Sequence, residues 1–185
     1  ICICYGCKEE IYKKKYNYTY LFLEYLEYDL YEYLFKFKDF KDLFINYEQH
    51  KKLLIDIAKT LRYIHKKGYI YNDLKLENIM ITCNNKIKLI DFNCLVKDKK
   101  KTQTKENLST TGFIGTVDYL APELFKVCDD IIYYNENNIS FINDYWTFGL
   151  FLYEFLTKNT FPYINQTNRS VTIEKILNNI FDDEE

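Results

Sequence analysis

The chain has only two arginines, Arg62 and Arg169, among 25 basic residues, and its 27 acidic residues leave a formal net charge of −2. That balance gives no electrostatic case for nucleic-acid binding, which needs clustered cations against phosphates. No apolar run approaches the roughly 20 residues that span a bilayer. The six cysteines are scattered at positions 2, 4, 7, 83, 94 and 128. They lack the spacing of a secreted disulfide framework, so a reducing, intracellular and cytoplasmic setting is expected. Cys2-Ile-Cys4-Tyr-Gly-Cys7 has no fourth metal ligand nearby, and its alternation with Ile1 and Ile3 suits strand packing. The chain opens on Ile inside an apolar pattern, with no Met and no signal-like segment, so it reads as a piece of a longer protein. It shows no internal repeat and no second domain. Its 185 residues, 48% hydrophobic, can bury one core or a lobe of one.

The informative stretch is 71 to 93. Two apolar runs, Ile79–Thr82 and Ile87–Ile90, flank Asn84-Asn85. Asn tolerates positive φ, so the pair predicts a two-residue hairpin loop. Pairing outward sets 82 opposite 87, 79 opposite 90, and 78 opposite 91. Asn78 and Asp91 then emerge side by side as hard oxygen ligands suited to Mg²⁺. Asp73 lies five residues before Asn78, with Lys75 between them. An acid, a cation and a metal-binding pair together suit phosphoryl transfer.

These residues carry a resemblance. Tyr71-Asn72-Asp73-Leu74-Lys75-Leu76-Glu77-Asn78 resembles the H-R-D-L-x-x-x-N catalytic loop of eukaryotic protein kinases. Asp91-Phe92-Asn93 resembles their D-F-G, and Ala121-Pro122-Glu123 their A-P-E. The resemblance implies an α+β, protein-kinase-like fold with residues 1–26 as the end of the small lobe with the hinge and 27–185 as the helical large lobe. It implies ATP and Mg²⁺ as cofactors, with Asp91 and Asn78 on the metal. Asp73 accepts the substrate hydroxyl's hydrogen bond, Lys75 meets the transferring phosphoryl group, and Thr116 bonds both. For the nucleotide it implies Leu23 guarding a back pocket, the Glu24 carbonyl and Leu26 backbone on adenine, Met80 beside them, and Asp29 near the ribose. Lys75 with Thr116 resembles serine/threonine rather than tyrosine kinases. Glu77 and Asp29 match carboxylates that meet basic substrate residues, which implies a protein substrate with Arg or Lys before its Ser/Thr acceptor.

Several positions depart from the family. Tyr71 replaces His and keeps an aromatic for stacking with Phe92. Asn72 replaces the Arg that receives an activation-loop phosphate, so weak dependence on phosphorylation at Thr102, Thr104, Ser109, Thr110 or Thr111 is expected. The catalytic-loop wording most resembles the group containing cyclic-nucleotide-dependent kinases and protein kinase C, and Gly112 stands where that group has a threonine. Asn93 replaces Gly and is expected to take left-handed geometry. The glycine-rich loop and the strand lysine that clamp ATP are absent from the sequence, so the chain as given is expected to be poorly active or inactive. Two readings from different classes stand: a serine/threonine kinase and a pseudokinase scaffold. Small-molecule kinases lack a segment like Gly115–Glu123.

The remaining sequence supplies the frame. Strands are expected over 1–8 and 16–25. Apolar positions from Phe44 to Lys67, including Tyr47, Leu54, Ile57, Ala58, Leu61, Ile64 and His65, predict an amphipathic helix closed by Gly68. His50 and His65 read as packed or solvated residues. Lys97–Asn107 reads as a polar loop and 126–143 as a surface insertion. Asp144 opens a helix to about Thr157, apolar nearly all round and so central, and Thr172–Ile180 forms a short helix. Asp144 is a plausible N-cap, which the resemblance also assigns to holding the catalytic loop.

Overall fold

The computed structural model describes residues 1–12, 16–36, 47–82, 84, 86–98, 114–128, 131–162, 173 and 175–176. Residues 13–15, Cys83 and Asn85, and the candidate acceptors from Thr102 to Thr111 lie outside the described residues. So do Gly112, most of the expected 172–180 helix and residues 182–185. Among the described residues, no helix is long and apolar enough to cross a membrane.

Strands β1 (Cys4–Tyr12) and β2 (Tyr16–Leu23) pair antiparallel, from Cys4↔Leu23 to Tyr12↔Tyr16. The aromatic and β-branched residues of this stretch suit a pleated surface. The cysteines lie on or beside a strand, as the alternation predicts, but they do not pack inside: Cys4 and Cys7 are exposed free thiols.

Helix α1 (Tyr47–Lys66) buries Leu53, Ile57, Leu61, Ile64 and His65. These steps of three and four residues make one core-facing stripe. Tyr47 and Ala58, expected on the stripe, are exposed, and Leu53 takes their place. The helix is described from Tyr47, and residues 44–46 lie outside the described set. Gly68 closes it at φ 80°, its N–H donating to the His65 carbonyl, a left-handed C-terminal turn that glycine adopts without strain.

A three-stranded sheet follows, in the order β3 (Tyr28–Asp29), β5 (Ile79–Ile81), β6 (Ile87–Leu89). Between β3 and β5 run α1 and β4 (Tyr69–Ile70), which pairs with β7 (Val96–Lys97). The hairpin register differs from the sequence expectation by one residue. Ile79 faces Leu89, and Ile81 faces Ile87. Thr82 N–H donates to the Lys86 carbonyl, and Lys86 N–H returns to the Thr82 hydroxyl. The connection is therefore three residues, 83 to 85. A one-residue slip exchanges the faces of a strand, and pairing with β3 selects the register that buries Ile79 and Leu89.

Residues 126–143, expected as a surface insertion, hold most of a hairpin of β8 (Phe125–Cys128) and β9 (Ile131–Tyr134) and a 3-10 turn, Glu136–Asn138. Helix α2 (Phe141–Thr157) starts earlier than expected. The Asn143 side chain accepts the Ser140 N–H at the cap, so Asp144 is not the cap and lies inside the first turns. Leu150, Phe151 and Phe155 are buried, whereas Ile142, Tyr145 and Leu156 are more than 60% exposed. The helix is half buried rather than enclosed. Phe151, 0% exposed, stacks between Phe148 and Phe155 and joins α1, β5 and β6 in one core. Burying a side chain of that size contributes about 1.5–3 kcal/mol.

Candidate active site

The loop after β4 hangs on one buried carboxylate. Asp144, 0% exposed, accepts the Tyr71 N–H (2.9 Å) and His65 Nε2–H (2.6 Å) at Oδ2, and the Asn72 N–H (2.7 Å) at Oδ1. Two successive N–H groups turned to one anion form an anion-binding concavity. Asn72 takes φ 64°, a geometry Asn tolerates. His65 is thus packed, and it also helps orient this carboxylate. Tyr71 bonds the Ile90 carbonyl through its hydroxyl and meets Phe92 edge-on, at 5.6 Å and 70°, rather than stacked. Burial drives the Tyr71 hydroxyl pKa well above its ordinary value.

Asp73, 6% exposed, is where the loop's groups meet. Its Oδ1 accepts the Thr116 N–H (3.0 Å) and hydroxyl (2.6 Å), and its Oδ2 accepts the Asn78 amide (2.7 Å). Lys75 Nζ lies 3.5 Å from Oδ2 and donates to the Thr116 hydroxyl at 2.7 Å. Thr116 therefore accepts from the ammonium and donates to the carboxylate. Asn78 also donates to the Asp73 carbonyl (2.7 Å). Both neighbours of its amide nitrogen are acceptors, so Oδ1 is the atom available to a cation. Gly115 makes the Thr116 approach possible: at φ 102° a Cβ would sit 2.5 Å from the Asn72 carbonyl oxygen.

Asp91 follows β6 at the open end of the hairpin. Ile90 N–H donates to the Asn78 carbonyl (3.0 Å), so Asn78 faces Ile90 and Asp91 stands one residue further along. Asp91 is exposed, takes φ 53°, and accepts the Asn93 N–H at its own carboxylate (3.1 Å). The left-handed residue is thus Asp91. Asn93, expected in that geometry, has none, because the Asp91 side chain closes the turn two residues earlier. Asn72 gives its amide to the carbonyls of Cys94 (3.0 Å) and Ile70 (3.4 Å). Burial pushes the Cys94 thiol pKa up.

Leu23, Glu24, Leu26, Asp29 and Met80, assigned to a nucleotide, lie on β2, on β3, on β5 and between β2 and β3. Met80, partly buried, pairs with Asp29 on one strand and Lys88 on the other. Lys88 Nζ reaches Glu24 Oε1 at 3.0 Å, and the same oxygen accepts the Ile3 N–H at 2.6 Å. These contacts, the backbone bond first, hold the Glu24 carboxyl below its usual range. Leu26 is partly exposed, and Leu23 ends β2 at 52% exposure. Asp29 Oδ1 accepts the Glu32 N–H (2.7 Å), capping the short π-helical segment Glu32–Lys36.

Beside Lys75 and Thr116 lies a cavity of about 320 Å³ whose lining includes Glu77, Asp118, Tyr119 and Glu154. Glu154, 6% exposed, accepts the Tyr119 hydroxyl (2.7 Å). Burial and, secondarily, the charge of Glu77 raise its pKa, against the pull of the Tyr119 bond. Asp118 Oδ1 is buried with no hydrogen-bond partner among the described residues. The sequence reading singled out Glu77 and missed Asp118 and Glu154. A lone acid inside Phe151-Leu-Tyr-Glu154-Phe-Leu156 was the available signal.

The protein kinase domain model matches residues 4–184. An Aurora kinase of Eremothecium gossypii is 34% identical over 168 residues, covering 89% of this chain and 40% of the relative. Protein kinase C-like 1 of Caenorhabditis elegans is 37% identical over 101 residues, covering 55% of this chain and 12% of the relative. The chain thus spans less than half the length of these relatives. A chain in the crystal structure of the yeast RNA Pol II CTD kinase CTDK-1 complex superposes with a TM-score of 0.66 at 22% identity. That match covers 94% of this chain and 49% of the other, and it shows a shared fold.

Proposed function

Because the chain belongs to the protein kinase domain family, we propose that its parent protein transfers the γ-phosphate of ATP to Ser or Thr hydroxyls of protein substrates. The observation that carries this reading is the meeting of Thr116, Lys75 and Asn78 on Asp73. The test is phosphotransfer from ATP to a peptide panel by the full-length protein, with Asp73→Asn as the control. Tyrosine-only transfer, or equal rates in the control, would overturn it. Asn72 and Asn93, which favoured a scaffold reading, have their local hydrogen bonds made and leave the four chemical groups in place.

In this reading, residues 1–26 end the small lobe and carry the hinge, and 27–185 form the large lobe. Among the described residues, the β1–β2 sheet shares no strand pairing with the β3-β5-β6 sheet, which supports the division. Free thiols at Cys4 and Cys7 suit a reducing intracellular setting.

Phosphoryl transfer has a loose transition state, so positioning and charge stabilisation carry catalysis. Asp73 orients the acceptor hydroxyl and takes its proton late, with Thr116 fixing the carboxylate from the far side. Lys75 offers its ammonium to charge on the transferred group. Asn78 Oδ1 and the Asp91 carboxylate are the hard oxygen donors that would hold Mg²⁺. Mg²⁺ held there would supply positive charge that offsets the negative charge of the phosphates.

Glu24, Leu26, Met80 and Asp29, with Leu23 behind, are assigned to the nucleotide. The Glu24 side chain is held by Lys88 and Ile3, which leaves its backbone carbonyl for adenine. Lys88→Met is expected to raise KM for ATP about two- to fivefold at unchanged kcat, the scale of a part-exposed ion pair.

Glu77, Asp118 and Glu154 support a preference for a basic residue before the acceptor, because a guanidinium would pair the buried Asp118 oxygen. Asp29, also assigned to this task, caps the Glu32 N–H through Oδ1. Glu154→Gln is expected to raise KM about tenfold or more for an Arg-containing peptide and little for a neutral one. In the wild type, the same KM rise on acidification should begin above an ordinary glutamate's pKa of about 4.3, because burial makes Glu154 hold its proton to higher pH. The folded state binds that proton more readily than the unfolded state. Stability from this group is therefore fullest at low pH and declines as pH rises through the folded pKa. Glu154→Gln should accordingly not destabilise the unliganded protein at neutral pH. Peptide titrations across pH check both effects.

A further inference from the structure

The β8–β9 hairpin is tied tightly to the segment that precedes it. Phe125, 7% exposed, packs with Leu120, Ala121 and Leu124, and Tyr134, its strand partner, packs against the same cluster. Asn135 N–H donates to the Leu124 carbonyl at 2.7 Å, and the Asn138 amide donates to the Glu123 carbonyl at 2.7 Å. From this platform the Tyr134 hydroxyl reaches back to Ile114, accepting its N–H and donating to its carbonyl, both at 3.4 Å. Burial pushes the pKa of that hydroxyl up to about 12, so it remains a donor throughout the neutral range.

Three consecutive residues are thereby seated: Ile114 on Tyr134, Gly115 against the Asn72 carbonyl, and Thr116 on Asp73 and Lys75. Thr116 also lines the acidic cavity with Asp118 and Tyr119, at the far end of the same short run. Asn72, the loop residue beneath Gly115, is neutral and gives its amide to carbonyls, so it offers no charge to an anion.

We propose that Tyr134 is a positioning residue for protein-substrate binding: its hydroxyl holds Ile114 so that Thr116 and the acidic cavity keep their geometry around Asp73. The proposal rests on the kinase reading above. It concerns the substrate part of the site, because the Tyr134 hydroxyl bonds Ile114, two residues before Thr116. Loss of the hydroxyl should therefore act on peptide more than on ATP.

The test compares Tyr134→Phe with wild type in the full-length protein. The variant keeps the ring in the Phe125 cluster and removes both hydrogen bonds. Three quantities are read: KM for peptide, KM for ATP with kcat, and hydrogen exchange at the amides of Ile114, Gly115 and Thr116. The expected result is a rise in peptide KM of about three- to tenfold, with a smaller fall in kcat, an ATP KM little changed and faster exchange at those amides. An active wild type with unchanged peptide KM in Tyr134→Phe overturns the proposal. So does a parallel rise in both KM values with a lowered Tm, which marks general loosening. A wild type that binds ATP but phosphorylates no peptide overturns the kinase reading itself, and with it any substrate role for Tyr134. Exchange then reports only whether the seat exists.

Discussion

Asp73→Asn is expected to lower kcat by about 10²- to 10⁴-fold, the range supplied by a positioned general base. The substitution keeps the size of the side chain but removes an oxygen that can take a proton. It also changes the hydrogen bonds. Oδ1 receives two donors from Thr116 and Oδ2 receives the Asn78 amide. An amide nitrogen in place of Oδ2 would face the Asn78 donor, and in place of Oδ1 would face Thr116. Either way one donor pair is opposed, which costs roughly 1–3 kcal/mol. The variant should therefore show a modest drop in Tm together with a far larger loss of rate. KM for ATP should change far less than kcat, because Lys75, 3.5 Å from Asp73, is the group that links this carboxylate to the nucleotide. Single-turnover phosphotransfer alongside thermal unfolding separates the two effects. A kcat within tenfold of wild type would remove Asp73 from the proton-accepting role.

Asp144→Ala is expected to destabilise the fold by about 3–5 kcal/mol, lowering Tm by roughly 6–20 °C for a chain of this size. The carboxylate is fully buried and accepts three donors: two backbone N–H groups from successive residues and the His65 ring. Removing it leaves the Tyr71 and Asn72 N–H groups without an acceptor, and an orphaned buried donor costs far more than a mean hydrogen bond contributes. The loop bearing Asp73 would then lose its anchor, so rate should fall with stability. Asp144→Asn should lie between, since it keeps one acceptor oxygen. Denaturant unfolding decides the matter, and a loss below about 1 kcal/mol would show that the loop is held by its other contacts.

Local physics carried much of the chain in advance. The three- and four-residue steps of α1 and the glycine after it need only helix geometry and a permissive φ, so Ile57, Leu61, Ile64 and Gly68 were legible. The order and spacing of Asp73, Lys75, Asn78 and Asp91 are properties of the chain itself, and so is the hairpin between them. The hairpin register was not. Two- and three-residue loops around Asn84 differ by little energy locally, and the choice came from burying Ile79 and Leu89 once β3 paired with β5. Asn93 failed for a related reason: the left-handed turn went to Asp91, whose own carboxylate could close it.

Which chemical groups the loop carries, and in what order, is written in the chain. Which groups meet them is settled by packing. Thr116 reaches Asp73 across 43 residues, and Asp144 reaches Asn72 across 72. Glu154 and Asp118 join Glu77 around one cavity from different elements. Such meetings depend on the closing of a shared core around Phe151 and Tyr71, a sum of many weak packing terms that no single spacing encodes. The loop's own residues are local text. The carboxylate beneath it, the threonine across from it and the acid-lined cavity beside it exist only once the chain is packed.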